Sequence, residues 1–118
     1  MKILVIDDEE IIRSLATKIL QRDNHDVLTA ISGEEGIGLI EAHDDIDCVV
    51  LDLSLPGMSG LETLAKIRNV RNDLPCLLSS GQPLADDALT PELQTKTAFL
   101  EKPYRSRMLS EAIDELLT

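Results

Sequence analysis

The chain predicts an α/β fold: a five-stranded parallel sheet flanked by five helices in a three-layer sandwich. Three observations predict it. Five short apolar runs alternate with segments of helical period across 118 residues, and such alternation implies a parallel sheet with right-handed crossovers. Behind Lys2, the strand Lys2–Ile6 is apolar at every residue, as is the run Cys48–Leu51, rather than at every second one, as strands buried on both faces are. No linker, internal repeat or low-complexity segment interrupts the pattern, so residues 1–118 read as one domain.

Lys2–Ile6, rich in β-branched residues, is the first strand and runs into four acids, Asp7, Asp8, Glu9 and Glu10. Ile12, Leu15, Ala16, Ile19 and Leu20 then recur at helical spacing as a buried face. Acids at the start of that helix suit the positive end of its dipole, which accounts for Asp8, Glu9 and Glu10 but not for Asp7 at the strand's very end. Asn24 and His25 turn the chain into a second, more polar strand, Asp26–Ile31, expected at a sheet edge. Ser32 and Glu35 form a capping box for a helix to about His43, with Ile37, Leu39 and Ile40 as its apolar members. Gly36 and Gly38 weaken it by about 1 kcal/mol each relative to Ala. Asp44, Asp45 and Asp47 make an acidic connector, and Ile46–Leu51 is the third strand, delivering Asp52 to its end. Pro56-Gly57 turns the chain, and Ser59 with Glu62 opens a helix from about Gly60 to Val70 that buries Leu61, Leu64, Ala65 and Ile67.

Asp73-Leu74-Pro75 leads into the fourth strand, Cys76–Ser79, with Ser80-Gly81 at its tip. From Gln82 to Thr97, Pro83 and Pro91 interrupt the chain and only Leu84, Leu89 and Leu93 are strongly apolar; a short helix or two broken turns of raised mobility is expected. Ala98–Glu101 is the fifth strand, ending in Lys102-Pro103-Tyr104. A last helix starts near Ser106 and buries a stripe of Met108, Leu109, Ala112, Ile113, Leu116 and Leu117.

Composition narrows the function classes. The net charge of −11, from 22 acids against 11 bases, sets the surface against nucleic acid and anionic membrane. No apolar run approaches the ~20 residues of a membrane span. Four apolar residues between Lys2 and Asp7 are too few for a signal-peptide core, so the cytoplasm is the expected compartment. With one Phe and one Tyr, the core must be built from Ile, Leu, Val and Ala. Cys48 and Cys76 read as buried reduced thiols acting as small hydrophobes. His25 and His43 fall near loops and are expected on the solvated surface.

Ligands of parallel sheets bind beyond the carboxyl ends of the strands, where the strand order reverses. Asp52 alone reads equally well as a turn-forming Asp. The other strand ends change the balance: the first gives Asp7 and Asp8, the fourth Ser80 and the fifth Lys102. With the first and third strands as neighbours, three carboxylates converge, and like charges so close raise a pKa or destabilise the fold. A divalent cation resolves the conflict, and hard oxygen ligands suit Mg²⁺. Metal, ammonium and hydroxyl together describe a site for a phosphoryl group, with a carboxylate available as nucleophile.

In Ile6-Asp7-Asp8-Glu9, Leu51-Asp52, Leu55-Pro56-Gly57-Met58-Ser59-Gly60, Ser80-Gly81 and Lys102-Pro103-Tyr104, the chain resembles the response regulator receiver domain over essentially its whole length. The resemblance implies the flavodoxin-like strand order 2-1-3-4-5. It implies that Asp52 accepts phosphate from a histidine kinase or histidine phosphotransfer protein in a Mg²⁺-dependent reaction, a phosphoacceptor signalling role rather than an enzyme's. Asp8, Asp52 and the Ser54 carbonyl would bind Mg²⁺ directly, and Asp7 through water. Lys102, before a cis proline, would pair with the phosphate, and Ser80 would bond a phosphate oxygen. Phe99 would change rotamer in response and reshape the face built by the fourth helix, fifth strand and fifth helix. That face would meet a downstream protein or an attached domain, or pair two copies weakly. Ser54 and Gln82 would tune the phosphate lifetime. The strand ends Leu78–Gly81 and Phe99–Tyr104 look most like receivers attached to sensor histidine kinases.

Three other readings compete. A Mg²⁺-dependent aspartyl phosphohydrolase usually carries a second Asp two residues after the nucleophile, where this chain has Ser54. A flavodoxin-like cofactor binder needs a phosphate-cradling loop after the first strand, where four acids would repel phosphate. A receiver-like interaction module without phosphorylation has no need of the complete acid set with Lys102.

Overall fold

The computed structural model describes residues 1–84 and 89–118. The elements are β1 (Lys2–Ile6), α1 (Glu10–Arg22), β2 (Asp26–Ala30), α2 (Gly33–Ala42), β3 (Cys48–Asp52), α3 (Gly60–Val70), β4 (Cys76–Ser80), α4 (Pro91–Gln94), β5 (Thr97–Glu101) and α5 (Ser106–Leu117). All five strands are parallel, in the order β2-β1-β3-β4-β5. The chain runs outward from β1 in both directions, so the order reverses between β1 and β3. Pairing of Ile6 with Leu51 and of Asp52 with Ser79 brings the carboxyl ends of β1, β3 and β4 level there.

Alternate strand residues face opposite sides of the sheet, and here both sides are covered. Leu4, Ile6, Val49, Leu51 and Leu78 pack with Ile40 of α2 and with Leu64 and Ile67 of α3. Ile3, Val5, Val50 and Leu77 pack with Ala16, Ile19 and Leu20 of α1 and with Leu109 and Ile113 of α5. Two-sided burial is why the central strands are continuously apolar. Cys48 and Cys76 are buried and free. Burial pushes their thiols up to about 12 and about 11, so both stay protonated and inert.

Several expectations are corrected. Among the described residues four helices run ten residues or more, whereas α4 is a single turn of four residues opened by Pro91. The rest of the helix expected between Gln82 and Thr97 falls partly on residues 85–88, outside the described residues. Leu15 and Met108, assigned to buried faces, are each 42% exposed. The contact line of α1 follows Ile12, Ala16, Ile19 and Leu20, and that of α5 follows Leu109, Ala112, Ile113 and Leu116; Leu15 and Met108 sit one residue off these lines. In α3, Thr63 is fully buried where Leu61 and Ala65 are only half-buried. His25 and His43 are half-buried rather than solvated, and the Nδ1 of His25 is shut from solvent without a partner. Gly36 is no mere weak point: a Cβ there would lie 2.3 Å from Cδ1 of Ile6, so its absence lets α2 seat against β1.

The amino ends of the strands are closed by two arginines, Arg68 of α3 and Arg71 directly after it, whose role sequence reading missed. Arg68 donates to the carbonyls of Leu74, Thr95 (2.8 Å) and Lys96 (3.3 Å) and to Oγ1 of Thr97 (3.0 Å). Arg71 donates to the carbonyl of Ile46 at 2.7 Å. The loops at this end are tied down; the carboxyl ends are left to carry polar groups.

Candidate functional site

Asp7 directly follows β1 and stays in the sheet's line, its N–H donating to the Ala30 carbonyl at 3.1 Å. Its side chain is buried: Oδ1 accepts the Glu9 N–H at 2.9 Å and Oδ2 accepts Lys102 Nζ at 2.8 Å. Arg13 of α1 donates to the Asp7 carbonyl at 2.9 Å. Asp52, the last residue of β3, is 1% exposed. Its Oδ1 accepts the Ser54 N–H at 3.0 Å, and its Oδ2 lies 3.5 Å from Lys102 Nζ. Asp8 is exposed. Asp7, Asp8 and Asp52 each offer a carboxylate oxygen within 4.8 Å of the others. The convergence expected from the sequence is present.

Lys102 extends the β4–β5 pairing one step, its N–H donating to the Ser80 carbonyl at 2.8 Å, and it precedes a cis peptide bond to Pro103. From there its ammonium reaches across β4 to the acids of β1 and β3. Burial opposes that charge, but the hydrogen bond to Asp7 and the charges of Asp7, Asp52 and Glu9 outweigh it and raise the Lys102 pKa. The Asp52 carboxyl is also raised. Burial is the main cause, with repulsion from Asp7 in support, against the Ser54 N–H and Lys102. Burial and Asp7 likewise raise the phenol of Tyr104, which packs under the site.

Ser80 is buried, and its Oγ accepts the Gln82 N–H at 3.2 Å. A cleft of about 660 Å³ opens over Asp52 and Lys102, lined also by Glu9, Ile12, Ser54, Gly81, Gln82 and Pro103. Phe99 is not among these residues. It pairs with Leu78 in the sheet and is half-buried against the core, on the side where Leu84, Leu89 and Leu93 also pack.

Sequence reading named Gly60 and Glu9 within its motifs but missed what each does. Gly60 opens α3 directly against the turn after Asp52: a Cβ there would lie 2.4 Å from Cα of Leu53 and 2.6 Å from the Asp52 carbonyl oxygen. Glu9 was assigned to the helix dipole. It occupies the N-cap of α1 without making a side-chain cap hydrogen bond, and its Oε1 lies 3.8 Å from Lys102 Nζ. The available signal was Glu at a position where Ser, Thr, Asp or Asn would cap.

Three converging carboxylates are only partly balanced by one ammonium, and all their donors are hard oxygens. The set fits a small dication that takes one or two carboxylates and keeps waters. Fixed positive charge, a buried nucleophilic carboxylate and an open cleft suit phosphoryl transfer.

The family model for the response regulator receiver domain matches residues 3–114. A chemotaxis protein CheY homolog of Campylobacter jejuni is 28% identical over 120 residues, covering 99% of this chain and 92% of that protein. The alkaline phosphatase synthesis transcriptional regulatory protein PhoP of Bacillus subtilis is 34% identical over 117 residues, covering 98% of this chain and 48% of that protein. Among solved structures, the receiver domain from the hybrid histidine kinase CckA matches with a TM-score of 0.84 at 29% identity, covering 100% of both chains. The likeness thus extends beyond receivers attached to kinases.

Proposed function

This chain belongs to the response regulator receiver domain family, and from that premise we propose that Asp52 is its phosphoacceptor. The observation that carries the assignment is the position of Asp52: a buried carboxylate at the end of β3, 3.5 Å from the Lys102 ammonium and clustered with Asp7 and Asp8. Receiver domains take part in signalling with histidine kinases or phosphotransfer proteins and with downstream effectors. In the proposed reaction an Asp52 oxygen forms a bond to the phosphorus of a phosphohistidine while the P–N bond breaks. The imidazole leaves with the electron pair. Lys102, already between Asp7 and Asp52, turns its ammonium to the incoming phosphoryl oxygens. Receiver domains bind Mg²⁺ at an acidic pocket. Here Asp7, Asp8, Asp52 and the Ser54 carbonyl would hold the ion, which when bound neutralises charge on the phosphoryl group. Ser54 and Gln82 border the cleft over Asp52, where a hydrolytic water must approach, and so set the phosphate lifetime. Among the described residues no helix is long and apolar enough to cross a membrane.

Incubation with a small phosphodonor, with and without Mg²⁺, tests this by intact mass and peptide mapping. One phosphoryl group on Asp52, gained only with Mg²⁺, is expected. Phosphate mapped to another residue defeats the assignment.

The signal would leave through Ser80 and Phe99. Ser80 Oγ is engaged with the Gln82 N–H and must move to meet a phosphoryl oxygen on Asp52. That movement frees space beside β5, and half-buried Phe99 is the large side chain placed to take it. The face of α4, β5 and α5 then changes shape. A partner preferring that shape must in turn favour phosphorylation, since coupling is reciprocal. Ser80→Ala is expected to accept phosphate yet lose most of the Phe99 response. NMR of wild type and variant with a beryllium fluoride phosphate mimic measures it; equal shifts of Phe99 and its neighbours in both would rule Ser80 out as the carrier.

A further inference from the structure

Glu9 is the acid of the site that neither metal binding nor phosphoryl acceptance employs. It holds the N-cap of α1, where a short side chain would ordinarily bond the helix's free N–H groups, and makes no such bond. Its carboxylate is instead turned to the cleft, 3.8 Å from Lys102 Nζ and 63% exposed. It lines the same opening as Asp52, Lys102, Gln82 and Pro103. Its backbone is fixed by the Glu9 N–H bond to Asp7 Oδ1 at 2.9 Å, so it is held at the entrance.

The charge balance gives that position a consequence. Among the described residues, the buried side of the cluster has its cations: Lys102 between Asp7 and Asp52, the Arg13 guanidinium on the Asp7 carbonyl, and the dication expected on the three aspartates. Glu9 stands apart from them as the exposed carboxylate at the mouth of the cleft, where an incoming donor meets its charge first. Resting on the phosphoacceptor reading, we propose that Glu9 is a specificity-determining residue of the phosphoryl transfer. It is an electrostatic filter at the cleft entrance that disfavours small, doubly negative phosphodonors such as acyl phosphates. The repulsion falls on any free dianion entering the cleft.

The experiment compares initial rates of Asp52 phosphorylation by acetyl phosphate, doubly negative at neutral pH, and by phosphoramidate, of lower net charge, at saturating Mg²⁺. Wild type, Glu9→Gln and the charge-keeping Glu9→Asp are followed by intact mass. Glu9→Gln is expected to speed the acetyl phosphate reaction by about 3- to 10-fold at low ionic strength, with a smaller gain for phosphoramidate. The gain should shrink toward none near ~1 M salt, where the Debye length is about 3 Å. Glu9→Asp, short enough to cap α1 and draw its charge back from the cleft, should move the ratio of the two rates part of the way toward that of Glu9→Gln. A ratio of donor rates unchanged in Glu9→Gln, with both donors still labelling Asp52, overturns the filter alone. It would leave Glu9 as a group that only orients Lys102. Absence of phosphate on wild-type Asp52 with both donors overturns the phosphoacceptor reading, and the filter with it.

Discussion

Asp52→Asn is expected to take up no phosphate from any donor, while the metal-free protein melts at a higher temperature than wild type at neutral pH. The first effect follows from the loss of the nucleophilic oxygen; the neutral amide does not replace a carboxylate in attack on phosphorus. The second follows from burial. Asp52 is 1% exposed and its carboxyl is raised above the ordinary range, chiefly by burial and then by the charge of Asp7. The folded chain therefore holds this proton more tightly than the unfolded chain. The stability contributed by that proton is fully present below the unfolded carboxylate value of about 3.9, and is lost as pH rises through the folded value. At neutral pH wild type has lost it, whereas Asn carries no such charge. Lys102 keeps its closer partner, Asp7, at 2.8 Å, so removing the Asp52 charge does not strand the ammonium. Melting in EDTA across the pH range measures the difference, which should narrow as pH falls toward about 4. A variant that melts lower than wild type at every pH would show that Asp52 is not under electrostatic strain. Addition of Mg²⁺ should reverse the order, since wild type is stabilised by binding and the variant much less.

Gly60→Ala is expected to destabilise the fold by about 1–3 kcal/mol and to slow phosphorylation on the order of 10- to 100-fold. Helix propensity alone argues the opposite, because Ala is favoured over Gly in a helix by about 1 kcal/mol. Sterics decide the sign. The new Cβ would meet the Leu53 Cα at 2.4 Å and the Asp52 carbonyl oxygen at 2.6 Å, both of them backbone atoms that no rotamer change can withdraw. Relief requires the turn after Asp52 to shift. That shift moves the Ser54 N–H, which fixes Asp52 Oδ1, and the Ser54 carbonyl assigned to the metal. Chemical denaturation gives the stability change, and the initial labelling rate with Mg²⁺ titration gives the effect on the site. A variant as stable as wild type, with unchanged Mg²⁺ dependence, would show that the close approach has no role in positioning Asp52.

The central strands were legible because burial on both sides of the sheet leaves a continuous apolar run with few alternatives. Their ends were legible because a charged residue directly after such a run has nowhere to go but the rim. This is why Asp7 and Asp52 were found from one sequence and do converge, whereas Lys102 follows Glu101 on the edge strand β5 and was read from its place beyond the last strand. Helix faces were less legible. A helix offers more apolar side chains than its contact line uses, so Leu15 and Met108 were assigned inward and lie outward. The strand order 2-1-3-4-5 was available only through the likeness to receivers, because local pattern gives strands but not neighbours.

The sequence by itself thus determined the element order, the two-sided sheet and the residue types at each strand end, all properties of local pattern and solvent preference. Only the tertiary structure decided which ends became neighbours. Placing β1 beside β3 put Asp7, Asp8 and Asp52 within reach of one ion, and the reach of Lys102 across β4 gave the cluster its one ammonium. It also decided the roles of Gly60, a matter of space against backbone, and of Glu9, a matter of which way an uncommitted cap turns. Both depend on distances between segments far apart in the chain. Such distances are fixed by how helices pack on the sheet, which no local run of residues encodes.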